Sequence, residues 1–392
     1  MNKLPAGWEI KKLKDICTIQ DGIHKTPKYT SKGVKFVSVE NINDLYNSNK
    51  FISEEDYNKM YKIKAKKNDI FMTRIGDIGT PAILNKDEKL AYYVTLCLFT
   101  NIDEEVFNKY LYYAIQSNYF KKELYYRTLH VAFPKKINLG DIGDCKFILP
   151  PLDEQKRITS ALSKIDAYLE NTIKLIEEKE RFKRGIAKKL LTCKEGENIP
   201  EARFKGFEDE WETKTLSSIS NIKKGEQKNK LDLIADGKYP VLNGGMNFSG
   251  YCNSYNREAN TITISEGGNA GYVNFIKEKF WSSGHCYTLH DLKIDKYFLY
   301  QCLKNSEKRL MKLQLGTALK NIRQSEIVEF ELNIPKSIKE QEKIGGYLSL
   351  LDEEIDNLKK QKELIKEMKK GAMQKLLSGE VRLSKNAFNE NI

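Results

Sequence analysis

Residues 154–191 read EQKRITSALSKIDAYLENTIKLIEEKERFKRGIAKKLL, and residues 340–377 read EQEKIGGYLSLLDEEIDNLKKQKELIKEMKKGAMQKLL. At one constant offset and without a gap, Glu154, Gln155, Ile158, Leu162, Ser163, Asp166, Asn171, Lys174, Glu177, Lys183, Gly185, Lys189, Leu190 and Leu191 recur as Glu340, Gln341, Ile344, Leu348, Ser349, Asp352, Asn357, Lys360, Glu363, Lys369, Gly371, Lys375, Leu376 and Leu377. Each copy follows a longer and far more divergent segment. A duplicated unit of this kind implies a pseudo-twofold molecule that holds two different heads on one repeated frame.

Pro150 and Pro151 precede the first copy and Pro335 the second. Proline can neither continue a strand ladder nor sit inside a helix, so a helix is expected to begin beside each, with Asp153 placed to cap the first. From Ile158 to Leu190, positions spaced alternately by four and three hold Ile, Leu, Ile, Leu, Thr, Ile, Lys, Lys, Ile and Leu. From Ile344 to Leu376 they hold Ile, Leu, Leu, Ile, Leu, Lys, Ile, Lys, Ala and Leu. Both are coiled-coil seams, broken at the matching residues Lys183 and Lys369. An antiparallel pair would place equivalent residues around a local twofold axis. Helices of about 40 residues would make a rod of roughly 60 Å, enough to keep two heads apart.

The segments 1–149 and 196–332 also echo one another. Trp8, Glu9, Lys11 and Leu13 match Trp211, Glu212, Lys214 and Leu216, each followed by an apolar run and a glycine, Gly22 or Gly225. The stretch from Arg74 to Gly79 answers Glu266 to Gly271, and Lys109, Tyr110 and Tyr113 match Lys296, Tyr297 and Tyr300 in an expected helix. Strand-like runs at Val34–Val39, Ile70–Thr73, Thr261–Ile264 and Cys286–Leu289 are interrupted by turn residues. The expected fold is therefore α+β: two mixed heads, each with a strongly bent sheet, separated by helices at 150–195 and 333–379, with a tail at 380–392.

A chain of 392 residues is too long for one ordinary core. Its 66 Lys and Arg against 54 Asp and Glu favour a polyanionic partner. The excess is spread over folded segments rather than gathered in an arm: residues 1–149 carry 24 basic and 18 acidic side chains. Seven cysteines with no CxxC pair suggest neither a disulfide framework nor a thiolate zinc site. Charges near the start and the lack of any run of about 18 apolar residues imply a soluble, cytoplasmic protein with no membrane association.

Head, long helix, head, long helix resembles the specificity subunit of type I restriction–modification systems, along nearly the whole chain. The most specific elements are Leu149-Pro150-Pro151-Leu152-Asp153-Glu154-Gln155-Lys156-Arg157-Ile158, its echo from Ile334-Pro335 to Ile344, Phe204-Lys205-Gly206-Phe207 with Glu210-Trp211, and the helix-ending Lys189-Leu190-Leu191 and Lys375-Leu376-Leu377. The resemblance implies that the heads are target-recognition domains, each reading half of a bipartite, asymmetric site on double-stranded DNA. It implies that the helices set the spacing and dock two modification subunits, through which restriction and translocase subunits join. S-adenosylmethionine, ATP and Mg are then expected on the partner subunits and no cofactor on this chain.

The residues agree that the chemistry lies elsewhere. Leu149-Pro150-Pro151-Leu152 fails the Asp/Asn-Pro-Pro-aromatic pattern of adenine methyltransferases at both ends, and no GxxxxGK[ST] loop is present. Glu177, Glu178 and Lys179 read as solvated helix charge. His285 and His290, five apart in a strand, would point to opposite faces rather than share a metal. No catalytic or metal residue is therefore expected, and rival readings are a stand-alone pseudo-dimeric repressor or a fragment of a fused restriction–methylation enzyme.

Duplex DNA is held through phosphates by Lys and Arg and read at base edges by Arg, Lys, Asn, Gln and Thr. Loops rich in these are the candidates. In the first head they are His24, Lys25, Thr26, Lys28 and Tyr29; Arg74 and Asp77; and Arg127, His130, Lys135 and Lys136. In the second they are Lys223, Lys224, Gln227, Lys228, Asn229 and Lys230; Asn243 and Asn247; Ser265, Glu266 and Asn269; and Lys320, Asn321, Arg323 and Gln324. Tyr110 to Tyr113 and Tyr125-Tyr126 have helical spacing and read as core. If the helices act as a ruler, four residues inserted near Lys194 should lengthen the distance between half sites.

Overall fold

The computed structural model describes residues 4–316 and 320–383; the part of the expected tail beyond residue 383 lies outside the described residues. The chain divides into two units: one joins the sequence up to Asn171 with that from Lys362 onward, and the other spans Thr172–Gln361. Each unit holds one head and one half of each long helix, so the unit boundaries fall inside the helices.

In the first unit, Glu9–Lys12 pairs antiparallel with Lys146–Leu149, and this ribbon closes the head where it meets the first long helix. A four-stranded sheet runs in the order Thr18–Asp21, Leu96–Thr100, Ile70–Ile75, Asp77–Ile83. A three-stranded sheet runs Phe51–Ile52, Val34–Val37, Leu90–Tyr92, its last pair parallel. The strongly bent single sheet expected from the sequence is instead three separate small sheets. The central strands are buried on both faces, which explains why Ile70, Phe71, Met72 and Leu96, Cys97, Leu98 read as continuous apolar runs rather than alternating ones. Ile70, Met72 and Phe99 pack with Leu111, Phe120 and Leu124 from the helices Asn108–Ile115 and Asn118–Arg127, and with Ile158, Leu162, Leu376 and Leu377 from the long helices.

The second unit repeats this plan. Glu212–Thr215 pairs with Glu331–Ile334. The larger sheet runs Asn221–Lys224, Cys286–His290, Thr261–Ser265, Val273–Ile276, and the smaller Gly250–Cys252, Tyr239–Leu242, Trp281–Ser282, again with one parallel pair. Strand order and pairing match the first head throughout, although the loop sequences do not.

The first long helix covers Leu152–Leu191 and the second Ile338–Ser378. The Pro151 carbonyl accepts from the Glu154 and Gln155 amides, so the first helix starts one residue before the expected cap. Asp153 lies in the first turn, where its charge complements the helix dipole. The helices pair antiparallel within each unit. In the first unit Lys369 meets Asp166 at 2.6 Å; in the second Lys183 meets Asp352 at 2.5 Å. These contacts are copies of one another, and they explain the two seam breaks that match between the copies: Lys183 and Lys369 each leave the apolar seam to reach the repeated aspartate of the other helix.

The repeated Glu-Gln pair has an equally specific role. Glu154 accepts from Trp8 Nε1 at 3.0 Å and from both ends of the Arg382 guanidinium, at 2.9 and 2.7 Å. Glu340 accepts from Trp211 Nε1 at 3.4 Å and from Arg203 at 2.7 and 2.8 Å. The carboxylates are 2% and 1% exposed. Arg382 holds the Glu154 carboxyl below the usual carboxylate range. Arg203 is 12% exposed and Arg382 47%, so the second pair is better shielded from solvent and contributes more than the first.

Gln155 accepts from the Phe107 amide at 2.8 Å and donates to Pro150 O, while Gln341 accepts from the Asp295 amide at 2.9 Å and donates to Pro335 O. These clamps correct one sequence match. Equating Phe107 with Asp295 aligns Tyr110 with the equally buried Phe298, and Tyr113 with Gln301, one residue later than Tyr297 and Tyr300. Tyr113 and Gln301 then do the same thing: the tyrosine hydroxyl donates to Asp166 and the Gln301 amide to Asp352, each at 2.7 Å.

Candidate nucleic-acid interface

In the second head the candidate loops converge. The Asn269 amide donates to Gly244 O, and the Glu266 amide to His285 O. Gly267 bridges Asn321, while the Ile322 amide donates to Glu266 O. The loop after Lys224 joins them through the Gly225 amide to Cys286 O and the Glu226 amide to Ser282 O. Gly225 is required here, since a Cβ would run into the carbonyls of Ser282 and Ser283. Lys223, Gln227, Asn229, Lys230, Asn247, Asn269, Lys320, Asn321 and Arg323 are exposed around this convergence. Lys228 lies 3.9 Å over the Trp281 ring, which orients its ammonium.

The first head is stitched in the same way. The Ile23 amide donates to Tyr92 O and the Val94 amide to Ile23 O, drawing in the loop that carries the exposed His24, Lys25, Thr26, Lys28 and Tyr29. The Gly76 amide donates to Lys135 O, and Ile75 bridges Lys136. The matches Gly76 with Gly268 and Gly79 with Gly271 hold in detail, with φ of 83° and 70°, and of 96° and 85°.

Several candidates are tied into the scaffold by hydrogen bonds or ion pairs, some buried, as Arg74 and Ser265 are, and some still exposed, as Asp77 and Gln324 are. Arg74 is 7% exposed. Its guanidinium donates through Nε to Ile137 O at 3.1 Å and through Nη1 to Val94 O at 3.1 Å and Asp21 Oδ2 at 3.4 Å, which ties the side chain into the scaffold. Its counterpart in the second head is Glu266, which meets Lys224 at 2.6 Å and also accepts from Tyr287 at 3.1 Å. Asp21 and Lys224 occupy matching strand ends, so the two heads carry the same ion pair with its charges exchanged. Asp77 accepts from Thr80 Oγ1 at 2.6 Å within its turn, and Arg127 is paired with Glu123 at 2.9 Å. Ser265 is fully buried and Asn243 partly so, and Gln324 donates to Ile222 O at 3.2 Å. His285 lies 3.4 Å from Glu266, whereas His290 contacts Thr288 at 2.8 Å. Among the described residues no cluster of His, Cys, Asp and Glu suits a metal ion.

The corrected role of Arg74 changes its expected phenotype. Arg74→Ala would take the donor from the Ile137 and Val94 carbonyls and one partner from Asp21, which keeps His24 at 2.8 Å, lowering the stability of the first head by about 2 kcal/mol. Denaturant titration should show the lower midpoint. Unchanged stability with lost preference at one base pair would return Arg74 to the reading face.

Sequence reasoning also missed exposed side chains. Tyr125 and Tyr126, read as core from their spacing, are 63% and 78% exposed, whereas Tyr110 and Tyr113 are buried as expected. Val131 and Phe133 are wholly exposed. Nothing in a linear sequence separates an apolar residue at a loop tip from one in a core.

Type I restriction modification DNA specificity domains match residues 5–178 and 208–367. A Mycoplasma pneumoniae protein named as a type I specificity subunit is 40% identical over 151 residues, 38% of this chain and 40% of that protein. A Mycoplasma genitalium protein named likewise is 33% identical over 171 residues, 43% of this chain and 45% of that protein; the chain thus spans under half the length of both. A Methanocaldococcus jannaschii protein named as the specificity subunit of a type I restriction enzyme is 26% identical over 98% of this chain and 96% of its own length. The fold is that of the crystal structure of a type I S subunit from M. genitalium, with TM-score 0.65 and 19% identity over 96% of this chain and 97% of that one. With two matching domains, the same strand order in each and a repeated pair of long helices, the chain belongs to the family of type I restriction–modification specificity subunits.

Proposed function

We propose that this chain reads a bipartite, asymmetric site on double-stranded DNA, one half with each head, and docks two adenine methyltransferase subunits along its paired helices. It is the non-catalytic specificity subunit of the assembly. Restriction and translocase subunits join through the methyltransferases, and S-adenosylmethionine, ATP and Mg²⁺ are bound by those partners. The observation that carries this reading is the contrast between frame and loops. The Trp-Glu-Arg node, the Glu-Gln clamp and the Lys-Asp pairs occur once in each unit with the same partners. The exposed loop residues differ between heads. A repeated frame offers two equal seats for one kind of partner, while divergent loops read two different sequences.

No helix among the described residues is long and apolar enough to cross a membrane. A stand-alone repressor would share the basic loops, yet would not need a duplicated docking frame. Co-expression with a methyltransferase subunit decides between them. The expected result is a stable complex that methylates adenine in one two-part motif, with no methylation by the purified chain alone. Failure to bind any methyltransferase while still holding one DNA sequence would favour the repressor.

A further inference from the structure

We infer that the loop Leu129–Lys136 of the first head is an apolar wedge, with Phe133 entering a base step of the bound duplex beside the half site read by that head. This rests on the DNA-reading function proposed above.

Exposure is the first argument. Val131 is 99% and Phe133 104% exposed, against 96% for Leu231 and 78% or less for every other exposed large hydrophobic residue described. Scattered exposed apolar side chains are ordinary. Two at full exposure within three residues are not, because covering a phenylalanine is favourable by about 1.5–3 kcal/mol and a short shift of a loop could cover it. The loop is prevented from collapsing by its base. The Leu129 amide donates to Lys136 O at 2.8 Å, the Gly76 amide to Lys135 O at 2.8 Å and the Ile137 amide to Arg74 O at 3.1 Å. The tip therefore stands away from the head on a fixed stem.

The surroundings identify the occupant. Lys135 and Lys136 are exposed at the stem, and no acidic residue occurs between Arg127 and Gly140. Beside them the His130 ring packs 4.5 Å from that of the exposed Tyr125. The exposed Tyr125, Tyr126 and Leu129 add aromatic and apolar surface beside the tip, but a face for another protein would also pair its charges, whereas the ammonium groups of Lys135 and Lys136 meet no carboxylate among the described residues. Here an apolar tip is set beside two cations, which suits a polyanion with an apolar, stackable interior. Proteins that insert a phenylalanine wedge into DNA use this combination, with phosphate contacts offsetting the loss of base stacking. The matching stretch of the second head, Leu315 to Asn321, contains no aromatic residue, so the wedge belongs to one half site only.

The test uses the full chain with its methyltransferase subunits and a duplex carrying the methylated motif, with 2-aminopurine placed in turn at steps flanking the first half site. The wild-type complex should raise fluorescence at one step, and Phe133→Ala should abolish that rise while weakening binding on the order of tenfold. Phe133→Trp should keep the affinity and show quenched tryptophan emission on binding. Because the side chain is wholly exposed, the thermal midpoint should not move. Unchanged fluorescence and affinity in Phe133→Ala would overturn the wedge. So would loss of methyltransferase binding with DNA binding intact, since the tip would then be a protein contact. A wild-type complex that neither methylates nor holds any duplex would overturn the DNA-reading function itself, and the wedge with it.

Discussion

Replacing residues 9–149 with the first head of another specificity subunit is expected to change one half of the methylated motif completely and leave the other half intact. The boundaries follow from the closing ribbon, since Glu9 pairs with Leu149 where the chain enters and leaves the head. Trp8 stays with the recipient because its indole is bonded to Glu154, a residue of the long helix. The incoming head must supply the backbone amide equivalent to Phe107 N for the Gln155 clamp, which every head with this fold can do. A discrimination of about 1–3 kcal/mol per contacted base pair, summed over a half site, is enough to switch methylation from one sequence to another. Sequencing methylated DNA from cells carrying the exchange reads both halves at once. A change in both halves would mean that the heads do not read independently.

The second large effect concerns spacing, and here the structure reverses an expectation. Four residues inserted near Lys194 should leave the distance between half sites unchanged. The segment after the first long helix turns back on itself: the Lys194 amide donates to Ile199 O, the Glu201 amide to Thr192 O and the Ala202 amide to Lys189 O. Extra residues at the tip of this turn would bulge outward. The second head is held to the frame by the Arg203 and Trp211 bonds to Glu340, and by packing of Leu190, Leu191, Ile344 and Leu348 against its core. A ruler built of paired helices must be lengthened in both. Four residues inserted after Asn171 and four after Gln361 would add about 6 Å, with a rotation error of about 40°. On B-DNA that corresponds to one or two unspecified base pairs gained between the half sites. Methylome mapping of both variants is the check; a longer spacer from the Lys194 insertion alone, or an unchanged one from the paired insertions in an active complex, would show that the helices dock partners without measuring DNA.

The duplicated helices were legible from sequence because a gapless repeat at helical spacing rarely arises by chance. Even the seam breaks at Lys183 and Lys369 carried information, although their partners Asp352 and Asp166 became visible only on pairing. The Glu-Gln repeat could be seen but not interpreted, since its partners are a tryptophan, a backbone amide and an arginine far away in the chain. Equivalent strands in the heads were partly readable, as Gly76 and Gly79 with Gly268 and Gly271 show, because backbone conformation restricts those positions to glycine.

The repeated frame, the two heads and the loops rich in basic residues are legible in the linear chain alone. Tertiary structure alone decided which basic residues are available. Arg74 and Lys135 look alike as residue types, yet one is consumed by two carbonyls and Asp21 while the other stands free at a loop stem. Tyr110 and Tyr126 likewise share a spacing pattern and end respectively in the core and in solvent. The physical reason is the same in both cases: local preference sets backbone conformation over a few residues, whereas burial and hydrogen-bond saturation depend on which distant segments the closed fold brings against each side chain.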